Sequence, residues 1–202
     1  LQCNMKGCGD QTIPGVVFRK LARHEAPLLA RHLRRLGRED WRARFQGYVS
    51  RREAGRHVAR LDWARTVVIG AFVGGKLRGA GELHPFSTGD GREAEIAITV
   101  EPAWQNRGIG TELLRRLINA ARNRLLTRVC LMCLADNARI RHLVEKLEGS
   151  LRTDLGQSEG EIAPLPPTFA TLVEEGAENW AAWRAGWRSR TRPRAAGAHQ
   201  LV

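Results

Sequence analysis

Tyrosine is almost missing from this chain: one residue in 202, Tyr48. Lysine is nearly as scarce, with Lys6, Lys20, Lys76 and Lys146 the only lysines among 33 cationic residues, so arginine carries the positive charge. The four cysteines, Cys3, Cys8, Cys130 and Cys133, are too few and too unevenly placed for a disulfide framework. No run approaches the ~20 apolar residues of a membrane-spanning helix. The opening stretch, Leu1 to Pro14, lacks the apolar centre of a signal peptide and is read as a leader segment without an initiator Met. A soluble, cytoplasmic protein with no membrane contact is therefore expected. At 43% hydrophobic and 27% charged residues, wholesale disorder is excluded and one domain with appendages is the natural size.

What is abundant is positive charge, +12 overall. Residues 19–60 hold thirteen Arg and Lys against Glu25, Glu39, Asp40 and Glu53, and the end of the chain adds Arg184, Arg188, Arg190, Arg192 and Arg194 without an acid. Such a balance suits polyanionic partners, nucleic acid or a multiply phosphorylated cofactor, although arginine-rich helices also present an ordinary solvated face. Aromatics interleaved with the basic residues would favour nucleic acid, and none is found. Cys130-Leu-Met-Cys133 has metal-site spacing but lies in the apolar run 128–134, which reads as a strand. Residues three apart on a strand point to opposite faces, so the two thiols are core residues and no metal is expected.

Along the chain, residues 16–20 predict a strand, and 25–37 and 39–53 two helices separated by Gly37. Residues 65–73 and 76–83 predict a hairpin turning at Gly74-Gly75. Residues 92–100 alternate, with Ile96, Ile98 and Val100 on one face and Glu95, Ala97 and Thr99 on the other. A helix over 108–124, a strand over 128–134, a helix from Asn137 and a hairpin over 150–163 follow. Residues 168–187 predict a last helix whose Trp180, Trp183 and Trp187 form a packing stripe, and the Arg/Pro/Ala end beyond it reads as disordered. The order predicts an α/β domain on a mixed sheet. Its expected boundaries are 1–14 for the leader, 15–175 for the domain and 176–202 for the helix end and basic tail.

Chemistry concentrates where the strand ending at Val100 passes Pro102 and Gln105-Asn-Arg-Gly-Ile-Gly110 opens a helix. Glycines let a ligand approach the backbone, and the first-turn N–H groups have no intrahelical partner. With the positive end of the helix dipole they form an anion site suited to a pyrophosphate, and Arg107 adds a cation. Neither a three-glycine dinucleotide fingerprint nor a P-loop is present.

Gln105-Asn-Arg-Gly-Ile-Gly110 resembles the acyl-CoA signature of the GNAT N-acetyltransferases, and the surrounding strands and helices match over about 67–147. The nearest motif likeness is to bacterial protein-lysine acetyltransferases. The resemblance implies the GNAT fold, a mostly antiparallel central sheet flanked by helices with two splayed strands holding acyl-CoA. It implies transfer of acetyl from acetyl-CoA to an amine, on a protein or a small molecule. It further implies that Gln105, Asn106, Arg107, Gly108, Ile109, Gly110 and Thr111 hold the pyrophosphate, that Ile98 and Val100 pair with the pantetheine arm, and that Asn137 contacts that arm. Glu95 stands where such enzymes carry a general base, with Glu93 and Glu82 as other carboxylates nearby. One position departs from the pattern: Val144 occupies the place of the tyrosine that many members use to reprotonate the thiolate. His84 and His142 are alternative proton donors by chemistry. Two other readings stay open, a basic nucleic-acid-associated module and an acyl-CoA sensor without turnover.

Overall fold

The computed structural model describes residues 13–45, 51–86, 92–134, 144, 149–154 and 157–191. Seven strands form one sheet in the order β1-β2-β3-β4-β5-β7-β6, with β1 at Val16–Lys20, β2 at Val67–Val73, β3 at Lys76–Pro85, β4 at Glu93–Val100, β5 at Arg128–Leu134, β6 at Ser150–Asp154 and β7 at Gln157–Ile162. Every neighbouring pair is antiparallel except β4 and β5. A parallel pair needs a crossover, here helix α4 at Ile109–Asn123.

The two sheet faces carry separate cores. On one side α4 buries Ile109, Leu113, Leu114 and Leu117 against Ile69, Ala71, Leu83 and Ile96. It lies close because β3 offers glycine: a Cβ on Gly81 would stand 2.7 Å from Leu117 Cδ1. On the other side α1 (Ala26–Arg34), α2 (Arg38–Phe45) and α3 (Arg51–Arg60) join Val68, Phe72, Leu77 and Ala80 through Leu29, Leu33, Trp41, Ala54 and Val58. The β2–β3 hairpin turns at Gly74 and Gly75, both at positive φ, as the sequence predicts.

Three expectations need correction. The helix drawn over 39–53 ends at Phe45, and a separate helix follows at Arg51–Arg60. Only Ala54 and Val58 of α3 are buried apolar residues, too short a stripe to show as periodicity. The last helix, expected to end at 187 before a disordered tail, runs on: α5 spans Phe169–Thr191, so residues 188–191 are helical, and 192–202 lie outside the described residues. The expected packing stripe stands at the surface at its first two tryptophans. Trp180 and Trp183 are each 57% exposed and stack on one another at 5.0 Å. The docked face of α5 carries Thr171, Glu174, Glu175 and Glu178 instead.

Candidate active site

The sheet opens between β4 and β5. Their register holds for three pairs, Glu93 with Arg128, Ala94 with Val129 and Glu95 with Cys130, and then stops although both strands continue. Beyond Glu95 the β5-facing edge of β4 carries backbone groups without a strand partner. The Glu101 N–H donates to Arg78 O at 2.9 Å on the β3 side, so the carbonyl of the same peptide, Val100 O, points into the opening. Strand alternation turns the backbone of Ile98 the same way. Their side chains pack toward α4.

At the mouth of this opening α4 begins. Its first intrahelical bond is Glu112 N–H to Gly108 O, 3.0 Å, which leaves the N–H groups of Gly108, Ile109, Gly110 and Thr111 to be satisfied from outside the helix. Gly108 sits at φ +81° and Asn106 at φ +58°. These left-handed residues turn the chain so that the helix start faces outward, and Gly108 itself is exposed. Arg107 lies over the Trp104 ring at 4.7 Å and Arg78 at 5.7 Å, so two cations flank one indole beside the helix start. The donor set, the left-handed glycine and the open strand edge fit an anionic head on an extended amide-bearing arm.

The Gln105 side chain is held from two sides. Its amide nitrogen donates to Val100 O at 2.9 Å and to Asp40 Oδ1 at 2.8 Å. Asp40 also accepts from the Gly37 N–H at 3.2 Å, at the start of α2. Gln105 is thus a brace between β4, the loop and α2, and Asp40 is a supporting residue that sequence reading missed.

On the sheet face covered by α1–α3, three acidic positions differ sharply. Glu93 pairs with Arg128 at 3.5 Å near the surface. Glu82 is 1% exposed and accepts from His57 Nε2 at 2.7 Å, His84 Nε2 at 3.1 Å and Arg44 at 3.4 Å. Burial would raise its pKa, but the Arg44 cation and the two imidazole hydrogen bonds outweigh that and hold it well below the usual carboxylate range. Glu82 is thus sealed and fixes two histidines. The three atoms lie within 4.8 Å and are of metal-ligating types, yet the Arg44 cation on the same carboxylate opposes an ion there. Glu95 is half-buried, and its carboxylate makes no recorded hydrogen bond or ion pair among the described residues. It stands opposite His84 on β3 and Cys130 on β5, so all three share one face at the point where the strands part. A cavity of about 300 Å³, lined by His57, Arg60, Asp62, Arg65, Thr66 and His84, opens beside the two histidines.

Beneath the opening, Glu101 is buried and accepts from Arg35 at 2.8 Å, Arg78 at 2.7 Å and His32 at 3.2 Å, while His32 also meets Thr99 Oγ1 at 2.9 Å. Burial pushes the Glu101 pKa up, but its hydrogen bonds from His32, Arg78 and Arg35 bring it down to about 2. Sequence gave no signal for this network because His32 and Glu101 are 69 residues apart. Val144 is wholly buried and packs where a Cβ on Gly160 would come within 2.5 Å of its Cγ2, so it belongs to the core and not to the reaction centre. Asn137, His142 and Tyr48 lie outside the described residues.

Comparison with known proteins agrees with this geometry. The model of the acetyltransferase (GNAT) family matches residues 30–149, more than half of the chain. No curated protein matches the chain significantly by sequence. Among solved structures, the GNAT domain of S. lividans PAT superposes with a TM-score of 0.63 at 22% identity, over 72% of this chain and 89% of that one. The yncA protein of Salmonella typhimurium with its cofactor acetyl-CoA gives 0.60 at 16% identity, over 75% and 95%. The PaiA N-acetyltransferase from Thermoplasma acidophilum in complex with coenzyme A gives 0.56 at 18% identity, over 73% and 98%. At these identities the likenesses speak for the fold, and with the family match they lead to one conclusion: the chain belongs to the GNAT family of N-acetyltransferases.

Proposed function

We propose that this protein transfers the acetyl group of acetyl-CoA to a primary amine, on a protein lysine or N-terminus or on a small molecule, with Glu95 as general base. The observation that carries this reading is the position of Glu95: the last residue of β4 paired to β5, half-buried, its carboxylate without a hydrogen bond or ion pair among the described residues. Glu93, by contrast, is paired to Arg128 near the surface.

Acetyl-CoA, when bound, supplies a thioester carbonyl open to attack by a neutral amine. The chain's own residues do the rest. The N–H groups of Gly108 to Thr111, the turn at Asn106 and Arg107 hold the pyrophosphate at the helix start. The open backbone of Ile98 and the Val100 N–H hold the amide-bearing arm, while Gln105 keeps the Val100 carbonyl occupied and the loop fixed. Glu95 removes the ammonium proton of the acceptor, directly or through water. His84, on the same face and anchored by Glu82, is the group we assign to protonate the departing thiolate in place of the missing tyrosine. We place Asn137 beside the arm on the strength of the motif alone.

The test is a thiol-release assay with acetyl-CoA over lysine peptides, free N-termini, polyamines and aminoglycosides. Release with at least one amine class well above hydrolysis supports the proposal. Tight acetyl-CoA binding with release at the hydrolysis rate across the whole panel would overturn it in favour of a sensor.

A further inference from the structure

Helix α5 is built inside out. Its carboxylates face the domain: Glu174 bonds Arg115 and Asn119, Glu175 bonds Lys20, Asn123 and Arg124, and Glu178 bonds Arg116 at 2.6 Å. Its apolar residues face away, with Phe169 83% exposed, Leu172 52%, Val173 54%, and Trp180 and Trp183 57% each. An amphipathic helix ordinarily turns its apolar stripe to the core. Here ion pairs hold the helix down and the stripe points outward. Phe169, Leu172, Gly176, Trp180 and Trp183 recur at steps of three, four, four and three, the spacing of a seam between two helices, and Val173 flanks it.

We infer that α5 is the dimer interface of this protein, two copies packing their α5 helices antiparallel about a two-fold axis at Gly176. The stripe is symmetric about that residue: Phe169 and Trp183 lie seven positions either side, Leu172 and Trp180 four. An isologous contact requires residue i to meet j while j meets i. This register sets Phe169 against Trp183 of the partner subunit and Leu172 against Trp180 of the partner subunit, twice over. At the axis, Gly176 has open space within 4 Å of its Cβ direction, so two backbones can cross closely. Exposed ring surface from Phe169, Trp180 and Trp183 amounts to roughly 300–500 Å² per copy, about half of the ~800 Å² each partner of a standard interface buries. Leu172, Val173 and Leu165 extend it.

Sedimentation equilibrium of the full chain tests this. The expected result is a dimer at micromolar concentration that tightens as salt rises, because each copy carries +12 and the contact itself is apolar. Leu172→Lys alone and Trp180→Glu alone should each raise the dissociation constant at least tenfold with the circular dichroism spectrum unchanged. The double variant, which sets opposite charges against each other in the antiparallel register, should recover most of that loss. A chain that stays monomeric to about 100 µM overturns the proposal whatever else covers the stripe. A dimer indifferent to both substitutions, or a double variant weaker than either single one, overturns it equally. Acetyl transfer is measured alongside, and its presence or absence bears on the reaction and not on the interface.

Discussion

Glu82, Glu95 and Glu101 stand on two neighbouring strands and the residue after them, yet each has a different chemistry because each has different neighbours. Glu101 is bonded by two arginines and a histidine, and Glu82 by an arginine and two histidines. Glu95, at the opening of the sheet, has no such partner among the described residues. A carboxyl group that titrates near 4.3 in the unfolded chain and at about 2 in the folded one stabilises the fold fully above the first value. That contribution is lost as the pH falls through the second. Glu101→Gln should therefore lower the Tm by several degrees at pH 7, and the gap between variant and wild type should narrow from pH 4.5 toward pH 2. Thermal melts across that range check the sign, and a gap that widens on acidification would contradict it. None of these partnerships could be read from sequence. The three glutamates look alike until the helices bring Arg35, Arg44, His32 and His57 to them.

At the scale of elements, legibility followed periodicity. Helix α4 and the β2–β3 hairpin stood within a residue or two of their observed ends because a long apolar stripe and a Gly-Gly turn are local signals. Helix α3 and the outward stripe of α5 were missed or misread because burial is decided by what packs opposite. The α4 start was also legible, since glycine after a strand and before a helix has a backbone reason. At φ +81°, Gly108 occupies a conformation that costs a β-branched residue about 1–2 kcal/mol. Gly108→Val should relax that turn, move the donor N–H groups and weaken CoA binding at least tenfold by calorimetry in a protein that still folds. Gly81→Val places a Cβ 2.7 Å from Leu117 Cδ1 and should cost about 1–3 kcal/mol in denaturant unfolding, because α4 must lift off β3. Unchanged stability there would mean the helix is not seated as described.

For the molecule as a whole, the family match and the parting of β4 from β5 fix what kind of enzyme this is, while the acceptor stays a matter for assay. The fold could be foreseen from element order, but the site could be only half foreseen. The proposed cofactor side lies within one strand-loop-helix unit, whereas the proposed acceptor side draws Arg44, His57, Glu82, His84 and Glu95 from α2, α3, β3 and β4. The central claim is that the point where the strands part is a reaction centre with Glu95 as its base. The most direct measurement is the pH–rate profile of wild type and Glu95→Gln, with acetyl-CoA affinity followed in parallel. Turnover near neutral pH should fall by roughly 10²–10⁴-fold, acetyl-CoA binding should barely change, and part of the rate should return at high pH as the amine deprotonates unaided. Near-normal turnover of the Glu95→Gln enzyme at pH 7 would contradict the account.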